Sequence, residues 1–265
     1  MMLEKVIGFL GNLRGVSLRL GIVLVLAIGL SACSTVTKVK TKALATLEKV
    51  SETTGIGNNP DDPLEGFNRS MFAVNEAIDK YAAKPVAQVY DNAVPLPLKA
   101  SVGNFFGNVG DLWIGVNSAL QGKFGDAGID VGRLLINSTV GIFGLFDVAS
   151  ELGLEKHEED FGQTLAVWGV GSGGYLFWPV IGPRNVRDTA GFGVDSFVDP
   201  VWRVERVSAR NSMVSLRFVD VRASLLPADK VVEEAALDKY AYIRDAYFQR
   251  RRNQIYDGRP PRLDD

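Results

Sequence analysis

The sequence predicts a mainly α-helical domain that carries a short β-hairpin, and three observations lead there. Apolar residues recur every three or four positions through Leu64, Phe67, Met71, Val74 and Ile78. Two later stretches, 102–120 and 127–143, keep a helical pattern although glycines interrupt both. Across 164–180 the pattern changes to β-prone runs on either side of a glycine cluster.

Each element follows from local chemistry. At the first helix, Asp62 can cap, Pro63 suits the first helical position, and Glu65 stands where a capping box places its carboxylate. The stripe from Leu64 to Ile78 is one face of an amphipathic helix, which should yield before Pro85. In the next two helices Gly103, Gly107, Gly110, Gly115, Gly128, Gly132 and Gly141 each cost up to about 1 kcal/mol against alanine. Two readings compensate for that: small-residue pairs such as Gly103/Gly107 and Gly128/Gly132 allow close helix approach, or the glycines mark bends between shorter helices. Leu165, Val167 and Trp168 lead into Gly169-Val170-Gly171-Ser172-Gly173-Gly174, and Tyr175-Leu176-Phe177-Trp178 lead out, which reads as a hairpin. Helices are expected again near 185–197, 212–225 and 229–256, before a frayed tail at 258–265.

The N-terminal part has a different logic. Lys5, Arg14 and Arg19 precede an apolar run over 20–30, too short to span a bilayer comfortably, and Leu30-Ser31-Ala32-Cys33 closes it. This order is that of a secretory signal (residues 1–32), and the tetrapeptide looks like a bacterial lipobox, so Cys33 is the expected lipidation site. Ser34 stands where Asp would signal inner-membrane retention, which directs the chain to the outer membrane. Residues 33–62 read as an acylated tether, and 63–257 as the folded domain.

Composition excludes several functions. Loss of residues 1–32 removes three basic residues and one acidic residue, taking the formal net charge from −2 to −4, against nucleic-acid binding. The chain is 46% hydrophobic, yet no later segment gives a spanning helix. Gly169, Gly171 and Gly174 satisfy a dinucleotide pattern, but a strand-like run ended by Pro179 follows where a helix is required. Asp160-Phe161-Gly162 lacks every other kinase signature. His157 is the single histidine, no G-x-S-x-G elbow is present, and His157-Glu158-Glu159-Asp160 reads as a solvated turn sooner than as a cation site. Arg250-Arg251-Arg252 reads as a solvated helix end or a contact for phosphate headgroups. No catalytic residue, metal site or cofactor is indicated.

One set of strings runs in order through most of the folded part. It comprises Asp62-Pro63-Leu64-Glu65-Gly66-Phe67-Asn68-Arg69, Pro85-Val86-Ala87 with Tyr90, Asn104-Phe105-Phe106 with Asn108, and Asn117 with Leu120-Gln121-Gly122. Arg133, Asn137-Ser138-Thr139, Gly141 and Phe146-Asp147-Val148-Ala149 follow. Glu159-Asp160-Phe161-Gly162-Gln163-Thr164-Leu165, Gly182-Pro183, Arg187-Asp188 and Ala246-Tyr247-Phe248-Gln249-Arg250 complete it. Behind a lipobox, this series resembles the MlaA (VacJ) family of phospholipid-transport lipoproteins. Gly174, Ala166 and Arg184 depart from it, standing where proline, glycine and serine are usual.

The resemblance implies a ring-like arrangement of amphipathic helices in the inner leaflet of the outer membrane, around an amphipathic channel. Such a protein removes phospholipids from the outer leaflet and passes them to a soluble periplasmic lipid carrier. It implies an outer-membrane porin trimer as partner and an ATP-driven inner-membrane complex, so the chain itself needs no hydrolysis. Asn75 and Asp79 of the first helix, with Trp168, Gly169, Gly171, Gly173 and Tyr175 of the hairpin, are the candidate lipid path or gate. Core packing of that helix and interfacial anchoring by the hairpin are the plainer readings of the same residues. A porin-bound scaffold and an envelope phospholipase are the competing functions.

Overall fold

The computed structural model describes residues 59–262, one compact unit. Cys33, the signal segment and the tether up to residue 58 lie outside the described residues. The described part is mainly helical with a two-stranded sheet.

The first helix, α1 (Glu65–Ile78), does not end before Pro85. It runs through a π-helical turn, Asp79–Ala83, directly into α2 (Lys84–Ala93). Proline lacks an N–H, and its ring collides with the carbonyl four residues back. The wider π turn shifts the bonding register just upstream, so Pro85 falls in the first turn of α2, where no intrahelical donor is needed. Asp62 does not cap α1 either: Leu64 occupies that position, with no side-chain cap. Asp62 is fully buried and serves a different purpose, described below.

α3 (Leu96–Leu120) is one uninterrupted helix, so its four interior glycines are not bends. It packs most extensively on α4 (Phe124–Thr139). The close approach is at Gly115, where a Cβ would stand 3.3 Å from both the Ala127 carbonyl oxygen and the Asp130 Cβ. The pairs Gly103/Gly107 and Gly128/Gly132 make no such helix contact, and Gly128 faces open space. Gly141 lies past the end of α4 in a tight turn against the carbonyls of Phe146 and Asn137. A short helix, α5 (Val148–Glu151), is capped by Asp147.

The predicted hairpin is displaced. Its first arm is helical: α6 (Phe161–Val167) starts at Asp160, whose carboxylate accepts the Gln163 N–H at 2.8 Å. That cap decides the conformation in favour of helix. The second arm is a strand, β1 (Tyr175–Trp178), but its antiparallel partner is β2 (Gly182–Asn185), with Tyr175 opposite Asn185 and Trp178 opposite Gly182. Gly182 and Pro183 hid β2 from a propensity reading. Pro183 is tolerated because both strands of a two-stranded sheet are edges.

Asn185 caps α7 (Val186–Val198), which is followed by a 3-10 turn (Pro200–Arg203) and α8 (Val207–Ser224). The stretch expected as one helix over 229–256 is two: α9 (Leu226–Ala235) and α10 (Lys239–Ile255), separated where Asp238 caps α10. Helices α6 and α7 touch backbone to backbone, since a Cβ on Gly191 would lie 2.5 Å from the Gly162 nitrogen. The apolar core is small. Tyr175, Phe177 and Tyr240 form its buried centre, with Met71, Phe72, Ile243, Tyr247 and Phe248 around them.

Candidate functional site

The helices bury polar faces and expose apolar ones. In α4 the buried residues are Asp130, Arg133 and Asn137, at helical spacing; in α3 they include Asn108, Asp111, Gly115 and Ser118. In α1 the buried residues are Glu65 and Asn68, while Phe67, Val74 and Ile78 of the apolar stripe are exposed. Phe124, Val140, Phe143 and Phe197 are each at least 67% exposed, far above what a water-facing fold usually tolerates in such numbers.

The buried charges are tied into networks, as low dielectric demands. Asp62 accepts from Asn68 (2.8 Å), Tyr240 (2.5 Å) and Arg244 (3.3 Å). Asn68 in turn donates to the Tyr175 carbonyl and accepts from the Phe177 N–H, so the start of the domain is tied to β1 and α10. A second network joins α6, α7 and α10. Arg251 donates to both oxygens of Asp160 at 2.6 Å and sits 2.7 Å from Asp188. Tyr247 and Arg187 complete Asp188 at 2.6 and 2.9 Å. Burial works against the Asp160 anion, but Arg251 outweighs it and holds the carboxyl below its ordinary range.

In the third network Arg133 bridges Asp147, at 2.9 and 3.0 Å, to the Leu154 carbonyl and Ser150. Asp111 is fully buried against Lys156 at 2.7 Å, and burial pushes its carboxyl up. His157 is not in a solvated turn: its Nδ1 lies 2.9 Å from Asp130. In the same segment Glu159 pairs with Lys123 at 2.8 Å, and Asp160 with Arg251. Arg251 is likewise no solvated helix end, whereas Arg250 is exposed beside Glu158.

The residues singled out from sequence fall into four places. Asn75 accepts the Val180 N–H at 2.9 Å and so fastens the β1–β2 turn to α1. Asp79, in the π turn, takes a two-pronged bond from Arg222 at 2.6 and 2.8 Å, which draws its carboxyl down. Trp168, Gly169, Gly171 and Gly173 belong to the loop between α6 and β1. There Trp168 is half exposed and donates to the Leu120 carbonyl, and Gly169 and Gly173 have φ of +88° and +66°. Tyr175 is fully buried in the aromatic core, 5.5 Å from Phe248 and 5.8 Å from Tyr247 between ring centroids. Sequence reasoning gave no role of their own to Arg133, Arg187 and Arg244, and read Arg251 as part of a solvated helix end or a phosphate contact. The polar stripe Asp130, Arg133, Asn137 was the signal that could have found the first of them.

Residues 60–254 match the family described as MlaA lipoprotein. The chain belongs to the MlaA family. The intermembrane phospholipid transport system lipoprotein MlaA of Escherichia coli is 35% identical over 194 residues, 71% of this chain and 76% of that protein. The Haemophilus influenzae protein of the same name is 30% identical over 235 residues, 84% and 93% of the two chains. An uncharacterized Rickettsia bellii protein is 36% identical over 195 residues, covering 73% of this chain and 76% of its own. A chain solved in work on the structural basis for maintenance of bacterial outer membrane lipid asymmetry superposes with a TM-score of 0.64 at 32% identity. It matches 75% of this chain and 99% of its own length. MlaA proteins are transport lipoproteins rather than enzymes.

Proposed function

We propose that this chain is an outer-membrane lipoprotein that transports phospholipid between membranes and so maintains lipid asymmetry. It removes phospholipids that have strayed into the outer leaflet and hands them to a soluble periplasmic carrier. The observation that carries this reading, beyond membership of the MlaA family, is the inverted distribution of side chains: apolar faces outward, paired charges inward.

The physics favours such an arrangement. A phospholipid changing leaflets must take a charged headgroup past hydrocarbon, at a cost of several kcal/mol or more when unpaired. A polar route inside an apolar shell removes that cost. Among the described residues no helix is long and apolar enough to cross a membrane. Amphipathic helices lying in one leaflet, arranged as a ring, give the shell without a span. Acyl chains on Cys33 hold it there. Asn75, Asp79 and the 168–173 loop remain the proposed lipid path, with Tyr175 as the core residue behind them. A porin trimer and the periplasmic carrier are the proposed partners. Transport leaves the lipid intact, so energy enters elsewhere.

The test is outer-leaflet phospholipid in a deletion strain of the native host, complemented with the natural chain or with Cys33→Ala. A rise on deletion, reversed by the natural chain alone, is the expected result. No rise on deletion would overturn the reading.

A further inference from the structure

Arg184, on β2 opposite Leu176, differs from the other interior arginines. Arg133, Arg187, Arg222, Arg244 and Arg251 each donate to a carboxylate or lie in an ion pair with one. The Arg184 side chain has no hydrogen bond or ion pair with any described residue, and its Nε is buried without an acceptor. Its guanidinium carbon lies over the Phe192 ring of α7, 4.1 Å from the centroid. That stacking satisfies the face of the group and leaves the N–H edge unused.

The neighbouring acids are already engaged. Both oxygens of Asp160 belong to Arg251, and those of Asp188 to Arg187 and Tyr247. Asp195 accepts from Trp113 at 2.7 Å and from the Phe161 N–H at 3.0 Å. Burial lowers the proton affinity of Arg184, yet the group stays charged, as arginine does in proteins. A half-buried cation whose side chain makes no hydrogen bond within the chain is free to take an oxyanion from outside it.

We infer that Arg184 binds a phosphate oxygen of a phospholipid headgroup, through the guanidinium edge left free by Phe192. This inference rests on the transport reading and adds a residue that distinguishes phospholipid from an uncharged lipid. Free phosphate has the same chemistry, and the two sources can be separated.

The test uses the purified full-length lipoprotein in detergent micelles. Native mass spectrometry would compare retention of phosphatidylglycerol with diacylglycerol of the same acyl chains. The natural chain should retain phosphatidylglycerol at least about tenfold better, the size of one charge-assisted hydrogen bond. Arg184→Gln keeps a planar group for Phe192 but loses the charge, and should bring the ratio near one. Arg184→Lys keeps the charge and should preserve most of the preference, which a merely packing role would not do. An unchanged ratio in a folded Arg184→Gln protein would overturn the inference. So would displacement of the lipid by equimolar inorganic phosphate. Equal retention of both lipids by the natural chain would sink this inference alone, whereas retention of neither would sink the transport reading with it.

Discussion

Single side chains carry an unusual share of this fold's organisation, because the interior is held by charge and hydrogen bonding more than by an apolar core. Asp147 illustrates the consequence. Burial opposes its ionisation, but bonds from Ser150, Asn137 and Arg133 win and set its carboxyl at about 2. The folded value lies below the unfolded one, near 4 for Asp. The stabilisation is therefore complete above pH of about 4 and lost as pH falls toward about 2. Melting followed from pH 6 to pH 2 should show this acid limb in the natural chain and a shallower one in Asp147→Asn. Sequence alone could not reveal it, since Asp147 sits 14 positions from Arg133 and 10 from Asn137. What sequence does show is residue type at helical spacing, and a polar stripe in an otherwise apolar helix is the readable trace of an inverted interior.

Among the elements, those fixed by local chemistry were legible and those fixed by distant contacts were not. Helix α7 was readable from the helical pattern near 185–197, although its cap, Asn185, was not singled out. The π turn was not, because Pro85 argues for a break and only the bonds from α2 to α8 and α9 argue for continuity. Tyr90 to Asp220 at 2.8 Å and Lys84 to Glu233 at 3.1 Å are such bonds. The strand β2 was missed because Gly-Pro rarely pairs, and the arm of the supposed hairpin before the glycines yielded to the Asp160 cap. Glycine itself was ambiguous, as seven positions of one residue type serve different ends. Gly191, outside those seven, is the sharpest case of close approach, since its contact with Gly162 is backbone against backbone and no side chain can give way. Gly191→Ala should separate α6 from α7 and lower stability by at least about 2 kcal/mol, an overpacking cost. Gly171, with no atom within 4 Å of a Cβ and no positive φ, is the control. Gly171→Ala should change the melting midpoint little, within about 0.5 kcal/mol.

As a molecule, the chain is built for a solvent that is water on one side and hydrocarbon on the other. Exposed apolar side chains on α1, α3, α4 and α7 would associate without limit in water alone. Membrane affinity should therefore survive loss of the anchor: the mature chain with Cys33→Ala should still float with phosphatidylglycerol-containing vesicles in a density gradient. Recovery of that variant wholly in the soluble fraction would show that the acyl chains, and not the apolar faces, hold it to lipid. The π turn adds a constraint of a different kind. In a helix each residue turns the chain by about 100°, and a π turn accommodates one extra residue without breaking the rod. Five residues in the wide turn carry the chain about as far round as four in ordinary helix. Removing one residue from Asp79–Ala83 would therefore relax the turn to ordinary helix and leave α2 near its azimuth, with Tyr90 still toward Asp220 and Lys84 toward Asp229 and Glu233. The same one-codon deletion in the regular turns of α2, ahead of Tyr90, has no such slack and would act like a mis-cut key: the rod keeps its chemistry and no longer fits its neighbours.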